Sequence, residues 1–261
     1  MSKKPIVKRG NTPDYEVIMV LKPDIVITYV DSISEVEEKL KSLGITAVAL
    51  DFYKRDTMGA EIEKLGYILD KKDRAKEYNE WCKKYEDKIK SLVDKLSEKE
   101  KPGVFIETTY KGLSAGIGTC GPGSTEDNFC TMAGGINIAG DLTKAYPYVD
   151  YEWVLVKNPE VMIKCPSLMD WGWENTDEPE NEIEAIKNRP GAESIEAVKN
   201  NCLYVSSYEF RYGMDSIVGL AYWAKLLHPE FDLDPKGIYK EYLEYFLDLE
   251  YPEDLIFVYP E

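Results

Sequence analysis

Aromatic and charged side chains gather in a few short stretches of this chain, at residues 29–31, 53–55, 110–120, 165–173 and 208–212. Each stretch follows a run that reads as a strand. In an open α/β sheet, functional loops lie at the carboxyl ends of the strands, so these stretches are the candidate binding loops. Tyr29, Tyr53, Arg55, Tyr110, Trp171, Trp173, Tyr208, Arg211 and Tyr212 are the candidate ligand-binding residues, with Asp31 and Lys54 beside them. Tyr and Trp offer a flat apolar face with a polar edge, which suits a planar macrocycle or an aromatic chelate. Arg55 and Arg211 suit propionate or other acidic groups. Any one of these aromatics is also readable as packing at a loop base; as a set they mark a binding surface.

Other chemistries fit less well. The loop at residues 112–123 is rich in glycine, and clustered glycines can aim backbone N–H groups at an anion. Neither G-x-x-x-x-G-K-[ST] nor G-x-G-x-x-G is present, however. Cys120 and Cys130 flank this loop and allow a disulfide, a metal ligand or simple apolar packing, the last being the default. His228, the single histidine, lies in LLHPE at a helix end. One histidine leaves little material for a catalytic triad or a zinc site, and no nucleophile is paired with a base. No catalytic residue and no metal site are assigned.

Composition excludes further classes. The 48 acidic residues outnumber 32 basic ones for a net charge of −16, the wrong sign for a nucleic-acid partner. No run reaches the ~18 apolar residues of a membrane span, and MSKKPIVKRG lacks the apolar centre of a signal peptide. The five cysteines contain no C-x-x-C pair and do not settle the compartment.

The elements that must carry the loops are arranged around residues 70–101. Ala75, Tyr78, Trp81, Cys82, Tyr85, Ile89, Leu92, Val93 and Leu96 recur in steps of three and four, which predicts one long helix with a single buried stripe. Asp70 is placed to cap it, Pro102-Gly103 to stop it, and at 1.5 Å per residue it spans roughly 40 Å, a strut between lobes. Before it come helices over 14–21, 34–43 and 57–65 and strands over 25–29 and 46–52. After it come strands at 103–108 and 203–206, a short helix near 128–133, and helices over 182–200, 215–227 and 235–247. The lobes repeat a pattern: Asp14-Tyr15-Glu16 and Pro23 match Asp150-Tyr151-Glu152 and Pro159, with seven residues from glutamate to proline in both. The expected organisation is α/β, with an N-terminal lobe at 1–69, a linker helix at 70–101 and a C-terminal lobe at 102–261.

KPDIVITY, LGITAVALDFY, the strut, TMAGGINIAGDL, KNPEVMIK and FRYGMDSIVGLAYWAKLLHPE, in this order and over nearly the whole chain, resemble landmarks of the periplasmic substrate-binding proteins that deliver iron-siderophores, haem or cobalamin to ABC importers. The resemblance implies two Rossmann-like lobes joined by one rigid helix, with an iron or cobalt chelate bound in the cleft between them and no resident cofactor. It implies an extracytoplasmic location and an ABC permease dimer as partner, docked through one glutamate per lobe. Glu16 and Glu152 match those glutamates by position. Trp171, Trp173, Tyr208 and Arg211 are expected to face the opposite lobe. Family members usually open with a further strand-and-helix segment, so the first lobe is expected to be incomplete. Two alternatives remain at this point: an enzyme such as a chelatase on a similar scaffold, with Cys120 or an acidic loop residue as its active group, and a truncated interaction module.

Overall fold

Short apolar runs bounded by proline and glycine form the strands of this chain, and amphipathic segments between them form the helices. The computed structural model describes residues 7–9, 12–53, 55–112, 115–166 and 172–260. The chain divides into two compact units, Met1–Phe52 and Tyr53–Glu261.

In the first unit a small antiparallel pair, β1 (Lys8–Arg9) with β2 (Thr12–Pro13), leads into α1 (Tyr15–Leu21). Two parallel strands follow, β3 (Ile25–Thr28) and β4 (Thr46–Ala49), connected through α2 (Ile33–Lys41). Asp14 caps α1 by accepting from the Val17 N–H at 3.2 Å, satisfying one of the free donors of the first turn. Ile18, Val36 and Leu40 form the core, with Tyr15, Val26, Ile45 and Ala47 packed against it.

The second unit begins with α3 (Arg55–Ile68) and α4 (Lys72–Val93), which pack along each other. The units therefore part at Phe52, ahead of α3, where the sequence reading set its first boundary at residue 69. The stripe expected for the long helix is the buried face of α4, namely Ala75, Tyr78, Trp81, Cys82, Tyr85 and Ile89. Its ends differ from expectation. Asp70 does not cap; it takes a left-handed backbone at φ 54° in the turn between α3 and α4, and the cap position falls to Lys71 without a side-chain bond. At the other end the helix stops at Val93, well before Pro102-Gly103. A separate turn at Glu98–Glu100 follows, closed by a capping box between Ser97 and Glu100. A helix of 22 residues is about 33 Å long, and it lies against α3, α5 and α9 rather than standing free.

The remaining elements are β5 (Gly103–Tyr110), β6 (Ile117–Thr119), α5 (Thr125–Met132), β7 (Ile136–Asn137), β8 (Tyr148–Val149), α6 (Tyr151–Lys157), β9 (Val161–Lys164), α7 (Asp177–Lys187), α8 (Glu196–Lys199), β10 (Leu203–Ser206), α9 (Ser216–Leu227), α10 (Pro235–Tyr242) and β11 (Val258–Tyr259). They build one sheet in the order β11-β10-β9-β5-β6-β8, with β7 also paired to β5. Strands β5, β9 and β10 run parallel, so the loops after Tyr110, Lys164 and Ser206 emerge at one end of the sheet. The short antiparallel strands β6, β8 and β11 have no sequence pattern strong enough to announce them. Glycines 112–123 build β6 and its flanks instead of a phosphate cradle: a Cβ on Gly118 would stand 2.7 Å from Thr108 Oγ1 on the paired strand.

The repeat is structural. Helices α1 and α6 are both seven residues long, and each ends on a left-handed residue, Lys22 (φ 47°) or Asn158 (φ 46°), whose N–H closes the last turn. Proline then prevents continuation, and a four-residue strand begins two residues later.

Candidate functional site

At the carboxyl ends of β5, β9 and β10 the second unit holds a cavity of about 290 Å³. Its lining comes from distant parts of the sequence: Thr108 and Thr109 at the end of β5, Glu126 in the first turn of α5, Tyr146 and Tyr148 before and on β8, Cys165 after β9, and Tyr208, Arg211 and Tyr212 after β10. Gly219 on α9 allows the last loop to sit where it does, because a Cβ there would meet the Phe210 carbonyl oxygen at 2.2 Å.

One buried ion pair organises the cavity. Ser124 caps α5 by accepting from the Asp127 N–H at 3.1 Å, which sets Glu126 in the first turn, 1% exposed. The Tyr212 hydroxyl donates to Glu126 Oε1 at 2.8 Å, and Arg211 Nη1 approaches the same oxygen at 3.4 Å. Arg211 Nη2 donates to the Pro166 carbonyl, so this arginine ties the loops after β9 and β10 together. The guanidinium lies under the Tyr208 ring, 5.0 Å from its centroid, and the Tyr208 and Tyr212 rings are themselves 5.0 Å apart. Burial, and then Glu126, push the Tyr212 hydroxyl up and keep it a proton donor. Burial pushes the Cys165 thiol up to about 12 and raises Cys120 further, so both are neutral thiols and neither is an activated nucleophile or a ready metal ligand. All five cysteines are free thiols. The arrangement offers aromatic faces and hydroxyl edges around a charge pair that is already balanced, a surface suited to holding a ligand.

Three of the expected binding residues, Tyr208, Arg211 and Tyr212, converge here. Others stand elsewhere. Arg55 is engaged inside the second unit, donating to Glu86 Oε1 at 2.5 Å and to Ser216 Oγ at 3.0 Å, so it fastens α3 to α4 and α9 instead of awaiting an acid. Trp173 is 6% exposed; its backbone exchanges two 2.8 Å bonds with Ile256 and its ring belongs to the core around Phe105, Met162 and Val205, which corrects the expectation that it faces a ligand. Tyr29 is 53% exposed in the first unit, and Tyr53 is half-buried at the start of the second. Trp171 and Lys54 lie outside the described residues, as does the side chain of Tyr110. Glu16 and Glu152 are exposed in the first turns of α1 and α6. His228 is structural, its ring stacked on Phe231 at 4.6 Å and its Nε2 3.2 Å from the Gly134 oxygen.

Glu126, Tyr146 and Tyr148 were not singled out from sequence. Ser124 with Asp127 three residues on is a helix-start signal that places Glu126 in a first turn, and A-Y-P-Y-V-D is an aromatic pair at a strand's start. Neither signal says which way the side chains point.

Residues 2–207 match the family described as periplasmic binding protein. The chain is 23% identical over 211 residues to the vitamin B12-binding protein of Vibrio cholerae, covering 76% of this chain and 74% of that one. It is 27% identical over 241 residues to an uncharacterized lipoprotein of Methanocaldococcus jannaschii, covering 87% of this chain and 59% of that one. Among solved structures, the TroA-like periplasmic binding protein FepB from Veillonella parvula superposes with a TM-score of 0.80 at 25% identity, over 95% of this chain and 75% of its own.

Proposed function

Because the chain belongs to the periplasmic binding protein family, whose members are non-catalytic solute carriers of ABC importers, we propose that it captures an iron or cobalt chelate of the siderophore, haem or cobalamin kind and delivers it to an ABC permease dimer. Capture takes place on the outer side of the cytoplasmic membrane in this reading. The observation that carries it is the convergence of Tyr208, Arg211 and Tyr212, from one loop, with Tyr146, Tyr148 and the Glu126 carboxylate on one cavity at the strand ends. Clustered phenols supply apolar faces with polar edges, as a chelate's ring system and its substituents require. A cavity of about 290 Å³ takes one edge of such a ligand. Family membership sets aside the chelatase alternative.

The test is native mass spectrometry of protein taken from its own source, followed by tryptophan-fluorescence titration with cobalamin, haem and ferric siderophores. One class is expected to bind saturably at one equivalent, and Tyr208→Ala to weaken it by about tenfold, as the loss of a stacked aromatic contact of about 1 kcal/mol and its buried area implies. Absence of any chelate from the native protein, together with no saturable binding in all three titrations, would overturn the reading.

A further inference from the structure

The charges that line the cavity bear on which edge of a chelate it accepts, an inference that rests on the chelate-carrier reading above and deepens it. Arg211 carries the cation expected to recognise an acidic ligand group, yet its side chain is 4% exposed and paired with Glu126, whose side chain is 2% exposed. Its two terminal nitrogens already face protein acceptors, Glu126 Oε1 and the Pro166 carbonyl. Among the described lining residues, Glu126 and Arg211 are the two that carry charge, and they cancel. Behind the wall the next charged group is also balanced: Glu107 bonds Lys164 and Arg189, and Lys164 reaches Glu182 at 3.4 Å. Lys111 stands with its Nζ 4.2 Å from the Tyr148 ring centroid, but it is an exposed lysine whose charge is screened by water and salt. The chain as a whole carries a net charge of −16. An anionic edge entering this cavity therefore loses its hydration and meets no uncompensated cation among the described residues, the unfavourable case for burying a charge.

We propose that the cavity selects the uncharged, amide- or hydroxamate-bearing edge of a metal chelate over a carboxylate- or catecholate-bearing one, and that Glu126, by neutralising Arg211, is the specificity determinant. The pair's remaining acceptor and donor, Glu126 Oε2 and Arg211 Nε, are buried without a hydrogen-bond partner among the described residues. The wall therefore presents an entering anion with no free N–H of the arginine at its surface, and an uncharged edge gives up less hydration there than a carboxylate. Specificity of this kind comes from repulsion of the wrong partner as well as attraction of the right one.

Two matched pairs of probes test the proposal on the full chain. One is cyanocobalamin against its monocarboxylic acid, which differs by a single amide-to-carboxylate exchange. The other is a neutral ferric trihydroxamate against an anionic ferric tris-catecholate. Wild-type protein is expected to favour the uncharged member of whichever pair it binds by about tenfold or more, and Glu126→Gln to shift that ratio toward the anionic member by at least about tenfold. A wild-type preference for the anionic member overturns the proposal and leaves the carrier reading intact. An unchanged ratio in a Glu126→Gln variant that melts cooperatively overturns the role of Glu126. Should that variant not fold, the wild-type ratio alone decides the preference. Binding of none of the four probes overturns the proposal, and the haem titration with the native mass spectrum then decides the carrier reading separately.

Discussion

Arginine placement is the clearest case of side-chain identity underdetermining role. Arg55 and Arg211 are equally legible as cations in strand-end loops, yet Arg55 fastens helices together and Arg211 stands in the cavity wall. The loop that carries Arg211 is held at both ends by acids. Glu209 accepts from the Tyr239 hydroxyl at 3.4 Å, and Asp215, at the start of α9, faces Glu209. Burial, and then the Glu209 charge, push the Asp215 carboxyl up to about 8, and burial raises Glu209 as well. A carboxyl whose folded pKa lies above its unfolded value of about 3.9 binds its proton more tightly in the native state, so stability falls as pH rises between those two values and levels off above them. Asp215→Asn, which keeps the shape and removes the titration, is expected to flatten the decline in urea-unfolding free energy between about pH 4 and pH 8. An equally steep decline in the variant would assign that pH dependence to other groups.

At the scale of elements, the sheet's centre is pinned by a polar cluster inside an apolar core. Glu107 on β5, fully buried, accepts from Lys164 on β9 at 2.8 Å and from both terminal nitrogens of Arg189, just past α7, at 2.6 and 2.8 Å. Burial alone would raise the Glu107 carboxyl; the Arg189 hydrogen bonds and the Lys164 charge outweigh it and hold the carboxyl below its ordinary range. Its contribution to stability is therefore present above the unfolded carboxyl value of about 4.3 and is lost as pH falls through the lower folded value. Glu107→Gln leaves two buried cations facing one amide and is expected to cost about 3–5 kcal/mol in chemical denaturation. Replacement of all three by apolar residues of similar volume should cost far less, because no charge is then left unpaired; a loss as large as that of the single variant would show that packing, not charge, dominates. The helices teach a complementary lesson. The stripe of α4 was legible because a 3.6-residue period is local, whereas its ends at Lys72 and Val93 depend on a turn against α3 and on the capping box at Ser97, contacts that the period does not encode.

At the scale of the whole molecule, we propose that a carrier of this family would meet its permease through the repeated helix start. Glu16 and Glu152 occupy the same first-turn position in α1 and α6, helices matched in length, left-handed cap and following strand. The helix dipole favours acids there by only about 0.3–1 kcal/mol, which explains an acid in each but not the shared distance to each proline. Reversal of both glutamates to lysine is expected to leave chelate affinity in place and to abolish stimulation of the cognate transporter's ATPase, since a permease surface complementary to two carboxylates would then face two cations. Undiminished stimulation by the double variant would reduce the match to a capping preference. By itself the sequence determined the α/β class, the repeat, the buried face of the long helix and the loop from which Tyr208, Arg211 and Tyr212 reach the cavity, because periodicity, proline punctuation and strand ends are properties of neighbouring residues. Tertiary structure decided that Trp173 turns into the core, that Arg55 is engaged by Glu86, and that Glu126 meets Arg211 across 85 positions of sequence. The Glu126–Arg211 pairing rests on the strand order β10-β9-β5, which brings distant loops to one sheet end, and the Arg55–Glu86 pairing on the packing of α3 against α4, neither of which a local pattern specifies.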